Sequence, residues 1–252
     1  MKLALVTAGT RRIGAAIAAR LAREGWALAL HSRTHGDVEA QLTATLTLNS
    51  TNWHSFVADF SNIAQINTLL PLIAAHFGQM PDLIVNNASC FEYDDPSSVT
   101  GEMLALHYAV NVTAPVLLTT ALAAALPGTG HGCVINIVDQ RIANPGGDQL
   151  SYTLSKQALA AATTTLARAL APKLRVNAIA PGLTLPTDDY RPAQMVKLAA
   201  MMPLERLPEP DEIADAVIWL AGADSITGQT IFVDGGAALK QFDRDFIFLG
   251  NT

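Results

Sequence analysis

The stretch LALVTAGTRRIGAAIAARLAREG, residues 3–25, combines a buried strand, a tight turn and an amphipathic helix. Leu3–Thr7 is a short apolar run, which is typical of a strand buried on both faces. Arg12–Glu24 carries alanines and larger apolar residues at helical spacing, and Gly25 ends this helix. In the turn between them, Thr7–Gly14, backbone amides at the helix start would attract an anion such as a pyrophosphate. The stretch predicts the first strand–helix unit of an α/β sheet, although a tight turn alone could also account for its glycines.

The same alternation of strands and helices continues along the whole chain. It predicts one α/β domain over residues 1–252, a parallel sheet of seven strands with helices on both faces. The further predicted strands are Trp26–Leu30, Trp53–Ala58, Leu83–Val85, Cys133–Val138, Val176–Ala180 and Thr230–Val233. The further predicted helices are one that ends near Leu46, then Ile63–Phe77, Glu102–Leu126, Leu150–Ala171 and Glu212–Ala221.

Length and composition argue against several classes of protein. A chain of 252 residues, half of them hydrophobic, favours one domain with a large core. Its 16 Lys and Arg against 22 Asp and Glu give a net charge of −6, so nucleic acid is a poor partner. Cys90 and Cys133 are too few for a disulfide framework or a cysteine-rich zinc site. The best apolar stretch, Val116–Leu126, is shorter than a membrane span of about 20 residues. We therefore expect a soluble, cytoplasmic protein without a metal.

The residues after the second strand indicate which dinucleotide would bind. An acidic residue there would bond the ribose 2′-hydroxyl of NAD. This chain reads HSR at residues 31–33, and its first acid is Asp37. Arg33, with Arg11 and Arg12 of the first turn, could instead clamp a 2′-phosphate in bidentate fashion. The sequence favours NADPH over NADH, with solvated surface charges as the alternative interpretation.

Two residues suited to proton chemistry lie four positions apart at the start of a predicted helix. Tyr152 and Lys156 therefore share one helix face. A nearby ammonium lowers the pKa of a phenol, which makes it a better acid at neutral pH. The spacing is common by chance, but here it follows a strand that ends in Val138-Asp139-Gln140. The sequence predicts a catalytic group at this edge of the sheet.

Several short motifs occur in a fixed order along nearly the whole chain. They are the Thr7–Gly14 turn, Asp59, Asn86-Asn87-Ala88-Ser89, Asn111, Tyr152–Lys156, Pro181-Gly182 and Val233–Gly236. In these motifs the chain resembles the short-chain dehydrogenases/reductases. The resemblance implies a single Rossmann-type domain, whose doubly wound parallel sheet has the strand order 3-2-1-4-5-6-7, and hydride transfer from a nicotinamide cofactor.

The resemblance also implies roles for individual residues. Tyr152 would donate a proton, Lys156 would hold the nicotinamide ribose and tune Tyr152, and Asn111 would anchor a water relay to Lys156. Asp59 would contact the adenine. The residues that would bind the cofactor are Thr7, Gly9, Arg11, Arg12, Ile13, Gly14, His31, Ser32, Arg33, Asp59, Phe60, Asn87, Ala88, Ser89, Tyr152, Lys156, Pro181, Gly182 and Leu183.

Two departures from the family pattern narrow the function. Ala8 and Arg12 occupy the first two glycine positions of the turn, and we expect Gly9 to supply the missing flexibility. Asp139 occupies the position of the catalytic serine, with a strand-end cap as the alternative interpretation. Both departures resemble the pteridine reductase branch, which implies that a pterin ring stacks at Phe91; a core aromatic is the alternative there.

An acidic group suits this substrate, because reduction of a C=N bond requires a hydride to carbon and a proton to nitrogen. Asp139 beside Tyr152 could form a coupled acid pair that supplies this proton. The residues that would bind the substrate are Arg12, Ser89, Phe91, Asp139, Tyr152, Pro181 and Leu183.

Two other functions remain open at this point. One is a carbonyl or alcohol oxidoreductase that acts on a non-pterin substrate. The other is a non-catalytic NADP(H) sensor, against which the combination of Asn111, Tyr152 and Lys156 argues. The loop Leu183–Met202, which includes Asp188-Asp189, is expected to choose among dihydromonapterin, dihydrobiopterin and dihydrofolate.

Two further segments suggest contacts beyond the site. The stretch Ala158–Ala171 is low in charge, and the resemblance implies that it packs against a second copy in a homodimer or homotetramer. The C-terminal tail, residues 237–252, carries several aromatic side chains. We expect such a tail to pack on a neighbour rather than to remain free.

Overall fold

Seven parallel strands form a sheet in the order β3-β2-β1-β4-β5-β6-β7, which confirms the predicted fold class. The computed structural model describes residues 1–34, 38–128, 130–186 and 190–250. The strands are β1 (Leu3–Val6), β2 (Ala27–Ser32), β3 (Trp53–Val57), β4 (Leu83–Asn86), β5 (Gly132–Ile137), β6 (Leu174–Pro181) and β7 (Thr230–Val233). The helices are α1 (Arg12–Arg23), α2 (Ala40–Leu48), α3 (Ile63–Phe77), α4 (Gly101–Tyr108), α5 (Ala114–Ala125), α6 (Leu150–Leu170), α7 (Pro192–Met201) and α8 (Pro210–Gly222).

The central strand β1 is buried on both faces, as its uniformly apolar sequence predicts. All four residues of Leu3–Val6 are inaccessible to solvent. Leu3 and Leu5 pack into one hydrophobic layer, whereas Ala4 and Val6 pack into the other, as the alternation of a strand requires. Helices α1, α2 and α8 cover one face of the sheet, and α3, α5 and α6 cover the other.

The order of the strands reverses at β1, which pairs with β2 on one side and with β4 on the other. A crevice opens beyond the carboxyl ends of the strands at such a reversal. Most of the predicted site residues lie at or just after the carboxyl ends of β1 to β6, so this fold brings them to one side of the sheet.

The first turn keeps the backbone shape of a glycine-rich turn at positions that lack glycine. Ala8 and Arg12 have φ angles of 48° and 55°. This left-handed region costs a non-glycine residue about 1–2 kcal/mol. The expectation that Gly9 supplies the flexibility is wrong; Gly9 is needed for space, because a Cβ there would lie 2.7 Å from the carbonyl oxygen of Val6. A Cβ on Gly14 would overlap the carbonyl oxygen of Ala8.

The long helix predicted over Glu102–Leu126 is interrupted. A π-helical turn, Ala109–Thr113, separates α4 from α5 and carries the buried Asn111. Such turns are frequent at functional sites. Among the described residues, Gly101–Ala125 is long and apolar enough to cross a membrane by length and composition. The same criterion is met by core helices, and this one packs against α3 and α6.

The segment Leu183–Met202, predicted to be a loop, contains helix α7. Leu198 of α7 and Phe246 of the tail are buried in one hydrophobic cluster. Gln194 Nε2 donates hydrogen bonds of 2.8–3.3 Å to three carbonyl oxygens of the tail. The tail therefore packs on its own chain. Asp188 and Asp189 lie outside the described residues.

We predict that Gly14→Ala destabilises the protein and that Ala8→Gly leaves its stability nearly unchanged. The added methyl group at position 14 overlaps backbone, and overpacking costs about 1–3 kcal/mol. At position 8, relief of left-handed strain offsets the entropic cost of glycine, about 0.5–1 kcal/mol. Urea denaturation followed by circular dichroism gives both free energies of unfolding. Equal stability of Gly14→Ala and the unaltered protein would contradict the clash.

Candidate active site

The carboxyl ends of β1 to β4 surround a cavity of about 540 Å³, a size typical of small-molecule sites. Its lining comes from four strand ends and from the loop after β4. It includes many of the residues predicted to bind the cofactor. These are Arg11, His31, Ser32, Arg33, Asp59, Phe60, Ala88 and Ser89, and Phe91 lines the same cavity.

Two exposed arginines, Arg11 and Arg33, supply positive charge to this cavity. Asp59 lies on the same wall. Hydrogen bonds from the backbone and side chain of Ser61 lower the pKa of the Asp59 carboxyl, and the charge of Arg33 adds to this effect. The two cations are suited to an anionic group, while Asp59 stays ionised beside them.

Arg12 faces a different groove. Its Nη2 lies 3.5 Å from the carbonyl oxygens of Leu185 and Pro186. It lines a cavity of about 470 Å³ bordered by α1, α2 and the start of α8. Of the three arginines predicted to clamp a phosphate, the structure therefore brings two together around the larger cavity. A contact between Arg12 and either ligand stays a prediction.

His31 is an uncharged ring that ties the first turn to the ends of β2 and β3. Its Nδ1 accepts the backbone N–H of Ala8 at 3.2 Å, so Nε2 is the atom that donates to the carbonyl oxygen of Ala58 at 2.8 Å. Burial lowers the pKa of His31 to about 4. The ring stacks on Phe60 with 4.1 Å between centroids. His31 thus shapes the cavity wall as a neutral ring, and the positive charge of the cavity comes from Arg11 and Arg33.

Thr7 and Asn87 lock the first turn onto the end of β4. Thr7 Oγ1 accepts the backbone N–H groups of Asn87 and Ala88 at 2.8 and 2.9 Å. Asn87 Nδ2 donates to the carbonyl oxygens of Thr7 and Ala8 at 3.0 and 3.2 Å. Ile13 packs into the core beneath the turn. In the described structure these residues hold the turn in shape.

Asp139 and Tyr152 form a hydrogen-bonded pair. Tyr152 Oη donates to Asp139 Oδ2 at 2.9 Å. The other oxygen, Oδ1, accepts the backbone N–H of Arg141 at 2.9 Å and its Nε–H at 3.2 Å. A carboxyl group that accepts three hydrogen bonds is arranged as a carboxylate. The pair predicted from the sequence is therefore a phenol facing a carboxylate.

The pKa of Tyr152 lies well above its usual value. Burial is the main cause, the charge of Asp139 adds to it, and the charge of Arg141 opposes it. The expectation of a lowered phenol pKa is therefore wrong in direction. Tyr152 stays protonated at neutral pH, which leaves it a proton to donate.

Lys156 is an almost fully buried cation beside this pair, with 2% of its surface exposed. Its Nζ donates to the carbonyl oxygen of Ile137 at 2.8 Å and lies 5.6 Å from the centre of the Tyr152 ring. Burial lowers the pKa of Lys156 to about 8, against the opposing effect of Asp139. The ammonium form is therefore the main form at neutral pH.

Asn111 joins the π-helical turn to the loop after β4 and to α6. Its Oδ1 accepts the backbone N–H of Cys90 at 2.7 Å, and its Nδ2 donates to the Cys90 carbonyl oxygen and to Ser155 Oγ at 3.0 and 2.9 Å. Asn111 is therefore hydrogen-bonded to the residue that directly precedes Lys156 in α6. The predicted water relay between Asn111 and Lys156 stays a prediction.

Phe91 lies at the mouth of the site, with 48% of its surface exposed. Its ring meets the Tyr152 ring edge-on, with 4.6 Å between centroids. This exposure argues against a core aromatic and leaves a ring face for a flat ligand. Pro181 is the last residue of β6 at the same edge, and the following Gly182 packs against the backbone of Asp234. Leu183 packs toward the cluster of α7.

Arg141 is the site residue that sequence reasoning missed. Its guanidinium lies 4.8 Å from the centre of the Tyr152 ring and forms an ion pair with Asp139. A second ion pair joins it to Asp245 in the tail at 2.9 Å. Its position two residues after Asp139 could have indicated a contact with that carboxylate. Its second partner, Asp245, lies 104 residues away and could not be inferred from the sequence.

Comparison with known proteins identifies the family. A sequence model described as Enoyl-(Acyl carrier protein) reductase matches residues 7–238. The chain belongs to the short-chain dehydrogenase/reductase family. Members of this family are oxidoreductases that use NAD or NADP.

Relatives within this family carry different names. Dihydromonapterin reductase from Citrobacter koseri is 32% identical over 242 residues, which cover 94% of this chain and 96% of its own. The FolM alternative dihydrofolate reductase 1 from Brucella suis, crystallised with NADP, superposes with a TM-score of 0.86 at 37% identity over 98% of each chain. LugOII, a promiscuous reductase that catalyses keto-reduction during lugdunomycin biosynthesis, has a TM-score of 0.86 at 31% identity over 95% of this chain and 98% of its own.

We predict that binding of NADPH weakens as the pH rises through about 8, the pKa of Lys156. Below this pH the lysine carries the charge that would hold the nicotinamide ribose, and above it the charge is lost. A hydrogen bond to a charged group contributes about 1.5–3 kcal/mol, so we expect a loss of affinity of roughly tenfold or more. Fluorescence titration with NADPH across this range measures the dissociation constant. Lys156→Met should bind weakly with no step near this pH, and a flat profile in the unaltered protein would contradict the assignment.

Proposed function

We propose that this protein is an NADPH-dependent reductase of a pterin, such as dihydromonapterin, dihydrobiopterin or dihydrofolate. The observation that carries the proposal is the hydrogen bond between Tyr152 and Asp139, at a position where the family usually has serine. A serine hydroxyl suits a carbonyl oxygen, whereas a carboxylate also accepts hydrogen bonds from the N–H groups of a pterin ring. The similarity to a dihydromonapterin reductase and to an NADP-bound alternative dihydrofolate reductase supports the same substrate class.

The proposed mechanism assigns a separate task to each side chain. NADPH, when bound, supplies the hydride that reaches the carbon of the C=N bond. Tyr152, kept neutral by burial, gives its proton to the nitrogen. Asp139 orients the phenol and accepts a hydrogen bond from the substrate ring, and the Lys156 ammonium stabilises the phenolate that forms. Phe91 provides a stacking surface.

A carbonyl reductase is the second candidate. The similarity to LugOII, which catalyses a keto-reduction, favours it, and so does the intact pair of Tyr152 and Lys156. The two candidates differ in what they require of Asp139. A carbonyl oxygen needs a hydrogen-bond donor, which Tyr152 supplies, and a carboxylate beside it adds no favourable contact.

We also propose a cytoplasmic homodimer or homotetramer, with no partner nucleic acid or membrane. The proposal of a second copy is supported by exposed apolar residues on the helices and the edge strand. They are Leu154 on α6, Trp219 on α8 and Phe232 on β7.

We predict that the purified protein oxidises NADPH in the presence of dihydromonapterin, dihydrobiopterin or dihydrofolate, and that it prefers these to aromatic ketones. Tyr152→Phe should lower turnover at least ~100-fold, the usual scale of general acid catalysis, with NADPH binding retained. Asp139→Ser should lose pterin reduction and also retain NADPH binding when this is measured well below pH 8, where Lys156 stays charged. Absorbance at the NADPH band measures all rates. Faster reduction of ketones than of pterins, or full pterin activity in Tyr152→Phe, would overturn the assignment.

We predict that Arg33→Ala weakens binding of NADPH without affecting NADH. Loss of one charge-assisted contact to the 2′-phosphate should raise the dissociation constant of NADPH about tenfold. Arg23→Ala is the matched control, because Arg23 is an exposed arginine that lines the other cavity and is not among the predicted site residues. Parallel fluorescence titrations with both dinucleotides give the ratio. An unchanged ratio in Arg33→Ala would show that the arginine is only a surface charge.

A further inference from the structure

The Arg141 guanidinium is buried beside Asp139 and Tyr152, and each of its three nitrogens donates a hydrogen bond. Nε donates to Asp139, Nη1 to Gln149 and to Thr153 at 3.0 and 3.5 Å, and Nη2 to Asp245 at 2.9 Å. Only 14% of the side chain is exposed. A guanidinium with these bonds has little capacity left for a substrate, so its role is directed at its neighbours.

The C-terminal tail supplies the partner that holds Arg141 from the far side. Asp245 caps the turn Phe246–Phe248, and the buried Phe246 anchors this turn to α7. Asp148 bonds both the Asp245 backbone N–H and Arg244, which also packs over the Phe248 ring at 4.1 Å. The tail thus presents one carboxylate to Arg141 from an anchored backbone.

We propose that Arg141, held by Asp245 of the C-terminal tail, is a positioning residue that balances the charge of Asp139 beside Tyr152 and Lys156. The proposal deepens the proposed function and rests on it for the turnover assay only. Arg141 thus connects the tail, through Asp245, to the turn after β5 and to the start of α6.

The charges around the pair show what the guanidinium does. Asp139 raises the pKa of Tyr152, and Arg141 opposes this effect. Arg141 also acts against the charged form of Lys156, while Asp139 favours it. The charged groups that face Lys156 in the described structure are Asp139 and Arg141, with Asp245 behind Arg141. Removal of the guanidinium should therefore make the phenol harder to ionise and keep the lysine charged to a higher pH.

Arg141→Met tests this role through turnover. The variant keeps the length and the apolar stem of the side chain and removes its charge. We expect a fall in kcat of about 10–100-fold at neutral pH with the dissociation constant of NADPH unchanged, because Lys156 is charged in both proteins there. An unchanged kcat would overturn the proposal. A general loss of structure would raise the dissociation constant as well, which would also count against it.

Asp245→Asn and Arg244→Gln separate charge from simple attachment of the tail. Asp245→Asn keeps the shape of the side chain and removes the charge that holds Arg141. The Asp245 charge itself raises the pKa of Tyr152, but we expect the loss of a fixed position for Arg141 to outweigh this effect, so kcat should fall by roughly tenfold. Arg244→Gln breaks an ion pair of the same tail that does not touch Arg141, and kcat should stay within about twofold. Equal losses in the two variants would mean that only attachment of the tail matters, and would overturn the proposal.

A binding measurement decides the proposal independently of any substrate. In the unaltered protein NADPH affinity should fall as the pH passes about 8. In Arg141→Met this step should move to higher pH by about one unit, since a like charge near the lysine is gone. At a pH between the two steps the variant should therefore bind NADPH more tightly than the unaltered protein. Steps at the same pH in both proteins would overturn the proposal. If no pterin is reduced, the proposed function fails, while this titration still decides the role of Arg141.

Discussion

The hydrogen bond between Lys156 Nζ and the carbonyl oxygen of Ile137 fixes α6 against the end of β5. A buried ammonium needs both an acceptor and a nearby negative charge. The carbonyl of Ile137 supplies the acceptor, and Asp139, two residues further on, supplies the charge. Tyr152 lies one helical turn before Lys156, so the same contact brings its hydroxyl to Asp139. The positions of the Tyr152 hydroxyl, the Asp139 carboxylate and the Lys156 ammonium therefore follow from where β5 ends.

Much of the sheet could be predicted because parallel strands buried on both faces are continuous apolar runs. β7 coincides with its predicted bounds, and β1 differs by one residue. The interruption of the long helix at Ala109–Thr113 could not be predicted, because a π-helical turn leaves the apolar spacing nearly unchanged. Helix α7 could not be predicted for a different reason: its buried residues pack on the C-terminal tail, where Gln194 bonds to Phe246, 52 residues later in the chain.

The residues of the site could be predicted better than their electrostatics. Strand ends place short motifs together whatever the rest of the chain does, so His31, Arg33 and Asp139 could be assigned to one edge from their positions. The direction of the Tyr152 pKa could not, because it depends on burial and on Asp139 more than on Lys156. The neutral state of His31 likewise depends on burial and on bonds to two backbone groups.

The carboxylate at position 139 changes the charge that the site must accommodate. With a serine there, the cations Lys156 and Arg141 would be the charges beside Tyr152, and both would favour ionisation of the phenol. Asp139 acts in the opposite direction and, together with burial, raises the pKa of the phenol. Arg141 restores part of the acidity of Tyr152, but as a second cation it disfavours the charged form of Lys156. Asp245 of the tail pairs with the same guanidinium, so the charges alternate in sign from Lys156 through Asp139 and Arg141 to Asp245. The carboxylate at position 139 is therefore paired with an arginine that the tail holds in turn, and the proposed positioning role of Arg141 follows from this order of charges.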